Sequence, residues 1–232
     1  MHLEYFYNDD SQEMNQRVPA LARDDEPALR AQCQEVSRQA GTSSLDVQKA
    51  CTEKGEAVRT IYRNMRSILQ ELSQAVSSGT SVFGGKNGQM DFSTVCRLVL
   101  QIEEQRRHLI ACIAELTQAR QILFEVVANT NQTLHFLRSA RFAVSKDVSA
   151  SYTEAIEHTE RAYACLKSSD ASVYEVQNFA MTLVERHLSA FMERLRSAAD
   201  FNHAGAALNR GAIRTLCEEL LILIGRAPNI TF

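Results

Sequence analysis

The sequence contains few of the residues that interrupt helices. Its 232 residues include only three prolines and nine glycines, and tryptophan is absent. Proline and glycine are the main helix breakers, so their scarcity allows long uninterrupted helices. Strand patterns are also scarce, whereas apolar spacings of three and four residues recur along the chain. We therefore predict an all-α fold, an elongated bundle of five to six mainly antiparallel helices with coiled-coil-like packing.

The sequence also lacks long apolar runs and an excess of charge of one sign. Its formal net charge is −3, so no global field attracts the chain to nucleic acid or to anionic lipid. A membrane-spanning helix needs roughly 18 consecutive apolar residues, and no such run occurs. The N-terminal residues do not follow the signal-peptide pattern. We expect a cytoplasmic protein without transmembrane insertion, and nucleic acid is not the expected partner.

Motifs for catalysis and for metal or cofactor binding are missing. The six cysteines form no CxxC pair, and Cys33, Cys51 and Cys217 lie among apolar neighbours, as buried thiols in a reducing compartment do. No histidine follows a glutamate by three residues, as a di-iron bundle would require. His187, on an apolar stripe, is expected to be a core histidine. We predict no catalytic, cofactor-binding or metal site and no enzymatic activity, although a site assembled only in the fold stays open.

One glycine-rich stretch invites comparison with a phosphate-binding loop. Residues 79–88 read GTSVFGGKNG. A Walker-type loop has four residues between its first glycine and a Gly-Lys-Ser/Thr triplet, and it lies between a strand and a helix. Here the spacing is one residue too long, and Asn87 occupies the hydroxyl position. Because a helix is predicted before it, we interpret the stretch as a connection between helices.

Caps and breaks set the bounds of the predicted helices. Asp25 is a plausible N-cap, Gly41 a helix stop and the SSDAS run at 168–172 a short break. Six helices result, at about 26–40, 43–77, 92–146, 151–167, 173–201 and 208–224.

The third predicted helix carries the longest regular pattern. A seven-residue repeat sets out an apolar stripe, interrupted by Gln105, at Val95, Leu98, Ile102, Leu109, Cys112, Leu116, Ala119, Leu123 and Val126. Additional apolar residues widen the stripe, which suits a multi-helix bundle better than a two-stranded coiled coil. The repeat weakens at Asn129–Thr133, where we predict a kink or a polar layer.

Residues 35–50 suggest an alternative function. They read EVSRQAGTSSLDVQKA, with Gly41 between two helical stretches, Ser37 four residues earlier, and Val47 and Ala50 at inward-facing positions. This segment resembles the helix-turn-helix of bacterial repressors. The resemblance implies a DNA-binding transcriptional regulator, although the predicted second helix is much longer than a recognition helix.

The N-terminus is acidic and contains three adjacent aromatic residues. Residues 1–26 hold seven acidic residues and two arginines, a charge of −5. We divide the chain into an acidic N-terminal arm, 1–25, and a single helical-bundle domain, 26–232. Tyr5, Phe6 and Tyr7 are costly to expose, while the acids beside them oppose deep burial. The arm is therefore a candidate to dock in a groove with a basic rim, and an ordinary frayed terminus is the alternative.

A basic rim is available in the run HFLRSARFAVSK. It places Arg138, Arg141 and Lys146 among apolar and aromatic residues, a pattern that can bind an acidic partner. The alternative is that these side chains lie at the edge of the core with their stems packed. With the aromatic residues of the arm, the three cations are the predicted partner-binding residues.

The predicted function follows from long amphipathic helices without a catalytic motif. We expect a non-enzymatic cytoplasmic protein that acts through protein–protein interaction as a scaffold, adaptor or chaperone-like binder. The apolar C-terminal helix and the long repeat supply more hydrophobic surface than one short helix covers, so self-association as a homodimer is also expected.

Overall fold

A computed structural model describes residues 26–78, 92–141, 146–200 and 206–228. Within these ranges the chain is helical up to residue 224 and contains no strand, so the predicted all-α class is confirmed. The elements are α1 Glu26–Ser78, α2 Phe92–Arg141, α3 Lys146–Thr182, a π-helical turn Leu183–Leu188, α4 Ser189–Asp200 and α5 Ala206–Ile224. The N-terminal arm and the glycine-rich stretch lie outside the described residues. Because α1 ends at Ser78, a helix does precede that stretch, as predicted.

Four helical stretches pack against each other in the described part of the chain, so the predicted count of five to six is not confirmed. Thr182 and Ser189, on either side of the π-helical turn, both have right-handed helical backbone angles. The segments α3, the π-helical turn and α4 therefore form one continuous helical path. Two breaks expected from the sequence, at Gly41 and at SSDAS, do not occur.

The helix-turn-helix predicted at residues 35–50 is not formed. Helix α1 runs through Gly41 without interruption, and a Cβ added at Gly41 would have no atom within 4 Å. The Thr42 hydroxyl donates to the Arg38 carbonyl at 3.0 Å, and Glu35 pairs with Arg38 at 2.6 Å. These side chains are thus engaged along one helix, and no turn separates a recognition helix.

The break predicted at residues 168–172 is also wrong. Ser169 is buried, and its hydroxyl donates to the Cys165 carbonyl at 2.8 Å. A serine that bonds the carbonyl four residues earlier is satisfied inside a helix and does not need a cap position. The break was predicted wrongly because serine occurs both at helix caps and, bonded to a carbonyl of the preceding turn, inside helices.

Helix α2 continues through Asn129–Thr133, where a kink or a polar layer was predicted. Thr130 is buried there, so a polar side chain does enter the interior at the point where the apolar repeat weakens. The helix itself does not end before Arg141.

The contacts group the described residues into two compact units. The smaller unit contains the described residues up to Thr42 and Thr130–Ala162. Its interior is formed by Cys33, Leu134, Leu137, Val148, Tyr152, Ala155 and Ile156. The larger unit contains Ser43–Asn129 and the described residues from Tyr163 onward. A single domain over 26–232 stays a prediction.

Pairs across the larger unit fix its helix directions. Three pairs join α1 to α2: Glu71–Arg97, Asn64–Gln105 and Lys54–Glu115. Two pairs join α2 to α3: Arg120–Asp170 and Thr117–Gln177. In each set, the residue number falls along one helix as it rises along the other. Both neighbouring pairs of helices are therefore antiparallel.

One hydrophobic core fills the larger unit. Seven positions of the predicted stripe on α2 are buried, while Cys112 and Val126 pack at its edge. Helices α1, α3, α4 and α5 and the π-helical turn contribute the remaining core residues. On α5, Leu220 and Ile224 are buried, whereas Ile222 is 59% exposed. The C-terminal helix therefore leaves one side uncovered by the described residues.

The prediction that His187 is a core histidine is wrong. The π-helical turn closes hydrogen bonds over five residues instead of four. Successive side chains are therefore separated by a smaller angle around the helix axis than in an α-helix. Leu188 is consequently buried and His187 is exposed. The Ser189 hydroxyl donates to the Val184 carbonyl, five residues earlier, at 3.0 Å.

Candidate interaction surface

A cluster around Arg120 joins α2 to α3 in the larger unit. The Arg120 Nε atom donates to an Asp170 carboxylate oxygen at 2.9 Å, and the guanidinium carbon lies 4.7 Å from the Tyr174 ring centre. The planar guanidinium can pair with a carboxylate and stack on an aromatic ring at the same time. Because the Arg120 and Asp170 side chains are each about one-third exposed, the cluster forms part of the surface.

A second polar contact lies one helical turn from this cluster. The Gln177 amide donates to the Thr117 hydroxyl at 2.8 Å. The other polar atom of that amide, the Gln177 Oε1, is buried and accepts no hydrogen bond from the described residues. Together with the Arg120 cluster, this contact sets the register in which α2 and α3 lie side by side.

Large apolar side chains line the same junction and face outward. On α2, Ile110 is 45% and Phe124 is 62% exposed; on α3, Tyr174 is 51% and Met181 is 39% exposed. Ile110, Thr117 and Phe124 are seven residues apart, as are Tyr174 and Met181. Residues seven apart share a helix face. We call this strip, formed by Ile110, Thr117, Phe124, Tyr174 and Met181, the α2/α3 seam.

The predicted basic residues lie in the smaller unit. Arg138 and Arg141 occupy the last turn of α2, and Lys146 is the first residue of α3. All three side chains are exposed. Arg138 pairs with Glu160 at 2.7 Å, so part of the rim charge is already matched within the unit. Cations in the last turn also interact favourably with the helix dipole.

The aromatic residues predicted to dock on this rim lie outside the described residues. They are Tyr5, Phe6 and Tyr7. Docking of the N-terminal arm on the basic rim, of the same chain or of a second copy, stays a prediction.

The buried thiols are poor candidates for chemistry. Burial raises the pKa of Cys51 to about 11 and that of Cys217 to about 12. Burial also raises the pKa of Cys33, partly opposed by a hydrogen bond with Tyr152. A thiol is nucleophilic only as the thiolate, which these pKa values disfavour near neutral pH.

A cavity in the larger unit is too small for an organic ligand. It measures about 30 Å³ and is lined by residues of α1 and α3 and by the end of the described chain, including Gly55, Tyr62 and Pro228. Ligand pockets usually measure ~300 Å³ or more, whereas a space of this size accommodates a water molecule. Tyr62 is 6% exposed, and its hydroxyl has no hydrogen-bond partner among the described residues.

Potential metal ligands are dispersed in the described helices. No group of three or more His, Cys, Asp or Glu side chains in residues 26–78, 92–141, 146–200 and 206–228 could hold a metal ion. None of the helices in these ranges is long and apolar enough to cross a membrane.

Comparison with protein-family models, with curated proteins and with solved structures finds no match to this chain. Function is therefore inferred from the described surface alone. Sequence reasoning missed the α2/α3 seam entirely. The seven-residue spacing of Ile110, Thr117 and Phe124 was visible in the sequence, but the opposing residues on α3 become apparent only from the register of the two helices.

Proposed function

We propose that this chain is a non-enzymatic helical-bundle protein that acts in the cytoplasm through protein–protein interaction, as a scaffold, adaptor or chaperone-like binder, and that it self-associates as a homodimer with coiled-coil-like packing. The observation that supports this proposal is the α2/α3 seam. It sets exposed apolar side chains in register on two adjacent antiparallel helices, beside an arginine already stacked on a tyrosine.

The composition of the seam suits a binding surface. Aromatic residues, methionine and arginine are enriched in protein interfaces, and a few such residues carry most of the binding energy. Full burial of a phenylalanine side chain contributes about 1.5–3 kcal/mol. Because Phe124 is 62% exposed, covering its exposed part would contribute about 1–2 kcal/mol.

The basic rim is the second proposed contact. Arg138, Arg141 and Lys146 could receive an acidic, aromatic segment, and the N-terminal arm has that composition. Exposed cations of this kind steer association more than they tighten it. In this proposal, the arm and the rim regulate or support interactions whose apolar contacts lie elsewhere.

The test is affinity capture with matched surface variants. Wild-type protein, a Phe124→Ser/Tyr174→Ser variant and a Leu45→Ser control are used as baits in lysate of the native host, and captured proteins are compared by mass spectrometry. Leu45 is 67% exposed, so it controls for the loss of an exposed apolar side chain away from the seam. We expect a specific set of partners that the control retains and the seam variant loses.

Two results would contradict the proposal. One is a set of captured proteins that is identical for all three baits. The other is turnover of a small-molecule substrate that a pocket substitution abolishes. The alternative function, DNA binding by residues 35–50, is not proposed further, because α1 has no turn at Gly41 to present a recognition helix.

A further inference from the structure

Opposite charges flank the α2 side of the α2/α3 seam. Arg107 precedes Ile110 by three residues, and Glu125 directly follows Phe124. Both charged side chains are exposed. They are 18 residues apart, which is about five turns of 3.6 residues, so they project in nearly the same direction from α2. Arg107 also lies 3.8 Å from Glu103 on its own helix. Glu103 is half-buried, so Arg107 is the exposed cation on α2 near the Ile110 end, and Glu125 is the exposed anion next to Phe124.

The α3 side carries charges in the reverse order. Lys167 and Glu185 are both exposed. The antiparallel register of the two helices places Lys167 at the Phe124 end of the seam and Glu185, in the π-helical turn, at the Ile110 end. At each end an exposed cation on one helix therefore lies across the junction from an exposed anion on the other: Arg107 with Glu185, and Lys167 with Glu125. Neither a uniformly acidic partner nor a uniformly basic one complements this pattern.

We propose that the α2/α3 seam is the contact between two copies of this chain, related by a two-fold axis perpendicular to the helices. This inference rests on the proposed self-association and assigns it a surface. Helix α2 packs antiparallel on α2 of the partner subunit. Arg107 then faces the partner subunit's Glu125, and Lys167 faces the partner subunit's Glu185. Two-fold symmetry forms each of these pairs twice.

The apolar residues select this axis over the other two-fold arrangement. An axis parallel to the helices would place α2 on the partner subunit's α3, and unlike charges would face each other in this arrangement as well. It would, however, place Phe124 against the partner subunit's Lys167. With the perpendicular axis, Phe124 faces the partner subunit's Ile110, so apolar surface covers apolar surface at both ends of the α2 side of the seam.

The dimensions of the seam set the expected affinity. From Arg107 to Glu125 the helix rises about 27 Å, and two helices side by side are about 20 Å wide. Roughly 500 Å² per copy would be covered, less than the ~800 Å² typical of stable complexes. We therefore expect a reversible dimer with a dissociation constant in the micromolar range.

The experiment is sedimentation equilibrium on the full chain at about 1–100 μM. It compares wild type, Arg107→Glu, Glu125→Arg, the double variant and an Arg66→Glu control on α1. We expect each seam reversal to raise the dissociation constant about tenfold, because it opposes like charges twice. The double variant should return to near the wild-type value, since Glu at 107 then faces Arg at 125. The control should match wild type.

Each other outcome overturns the inference. A double variant that dimerises more weakly than either single variant would indicate the two-fold axis parallel to the helices, because each reversed charge then faces a like charge. A dimer that none of the reversals affects would lie on another surface. A wild-type monomer at the highest concentration would exclude self-association through the seam. Capture of seam-dependent partners requires no second copy, so the interaction function can survive where this inference fails. Circular dichroism checks that each variant is folded.

Discussion

Replacing Gly41 with alanine should stabilise the protein by about 0.5–1 kcal/mol. Gly41 lies inside α1, has no left-handed backbone angle, and leaves open space where a Cβ would project. Alanine therefore introduces no clash and reduces the conformational freedom that the unfolded chain loses on folding. For a chain of this size, the gain corresponds to a rise of about 1–4 °C in the melting temperature.

The assay is urea unfolding followed by circular dichroism at the helix band, with Gly211→Ala and Gly225→Ala as companion variants. Gly211 also has open space at its Cβ position, so its substitution should stabilise to a similar extent. At Gly225 a Cβ would lie 3.3 Å from the Leu221 carbonyl oxygen, and little or no gain is expected there. The slope of the free energy against urea concentration should stay unchanged.

A loss of stability in Gly41→Ala would refute the reasoning. At a helix-turn-helix corner, glycine commonly adopts left-handed backbone angles, and alanine there destabilises by about 1 kcal/mol or more. The sign of the change therefore distinguishes one continuous helix from a helix-turn-helix at residues 35–50. Gly211→Ala is the control for a general effect of replacing glycine, because it is the same substitution in another helix.

The fold class and the core face of α2 could be predicted because the repeat there is long. The stripe from Val95 to Val126 extends over nearly nine turns, and Leu98, Leu109 and Leu116 within it are fully buried. A periodic signal of this length outweighs local irregularities, since burial of the whole apolar face supplies most of the stability of a helix in a protein.

The breaks were predicted wrongly because they rested on single residues. A glycine inside a helix costs only about 1 kcal/mol, and a serine or aspartate costs less. Packing on both sides of Gly41 and of Ser169 exceeds that cost, so α1 and α3 continue. His187 was misplaced for a related reason: the π-helical turn shifts the helix phase by less than one residue per turn, and no residue type in LVERHL signals it.

The α2/α3 seam could not be predicted because it depends on the register between two helices. The sequence contains Phe124 and Tyr174 but does not indicate that they border the same junction. In the sequence, Arg120 resembles any other surface arginine, and its contacts with Asp170 and Tyr174 are visible only in the structure. A surface at the junction of two helices is a property of the helix pair, whereas amphipathic periodicity describes each helix alone.

Three further perturbations test the core, the buried thiols and the N-terminal arm. Leu116→Ala should lower the free energy of unfolding by about 3 kcal/mol. Leu100 is 70% exposed on the same helix, so Leu100→Ala should change it by less than about 0.5 kcal/mol. Equal losses in the two variants would contradict the orientation of α2. Deleting residues 1–10 should lower the melting temperature or weaken the dimer if the arm docks on the basic rim, and no change in either would contradict docking. Stability should fall by about 1–2 kcal/mol between pH 9 and pH 10. Burial raises the folded-state pKa of Cys51 to about 11 and of Cys217 to about 12, from an ordinary value of 9.0. Well below pH 9 both states keep these protons, so the thiols add no pH dependence there. Above pH 9 the unfolded chain releases them first, which favours unfolding until the folded-state pKa values are passed. Urea titrations at half-unit pH intervals measure how steeply the free energy of unfolding falls with pH. Cys51→Ala should make this fall less steep. An unchanged fall in that variant would exclude the Cys51 thiol as its source.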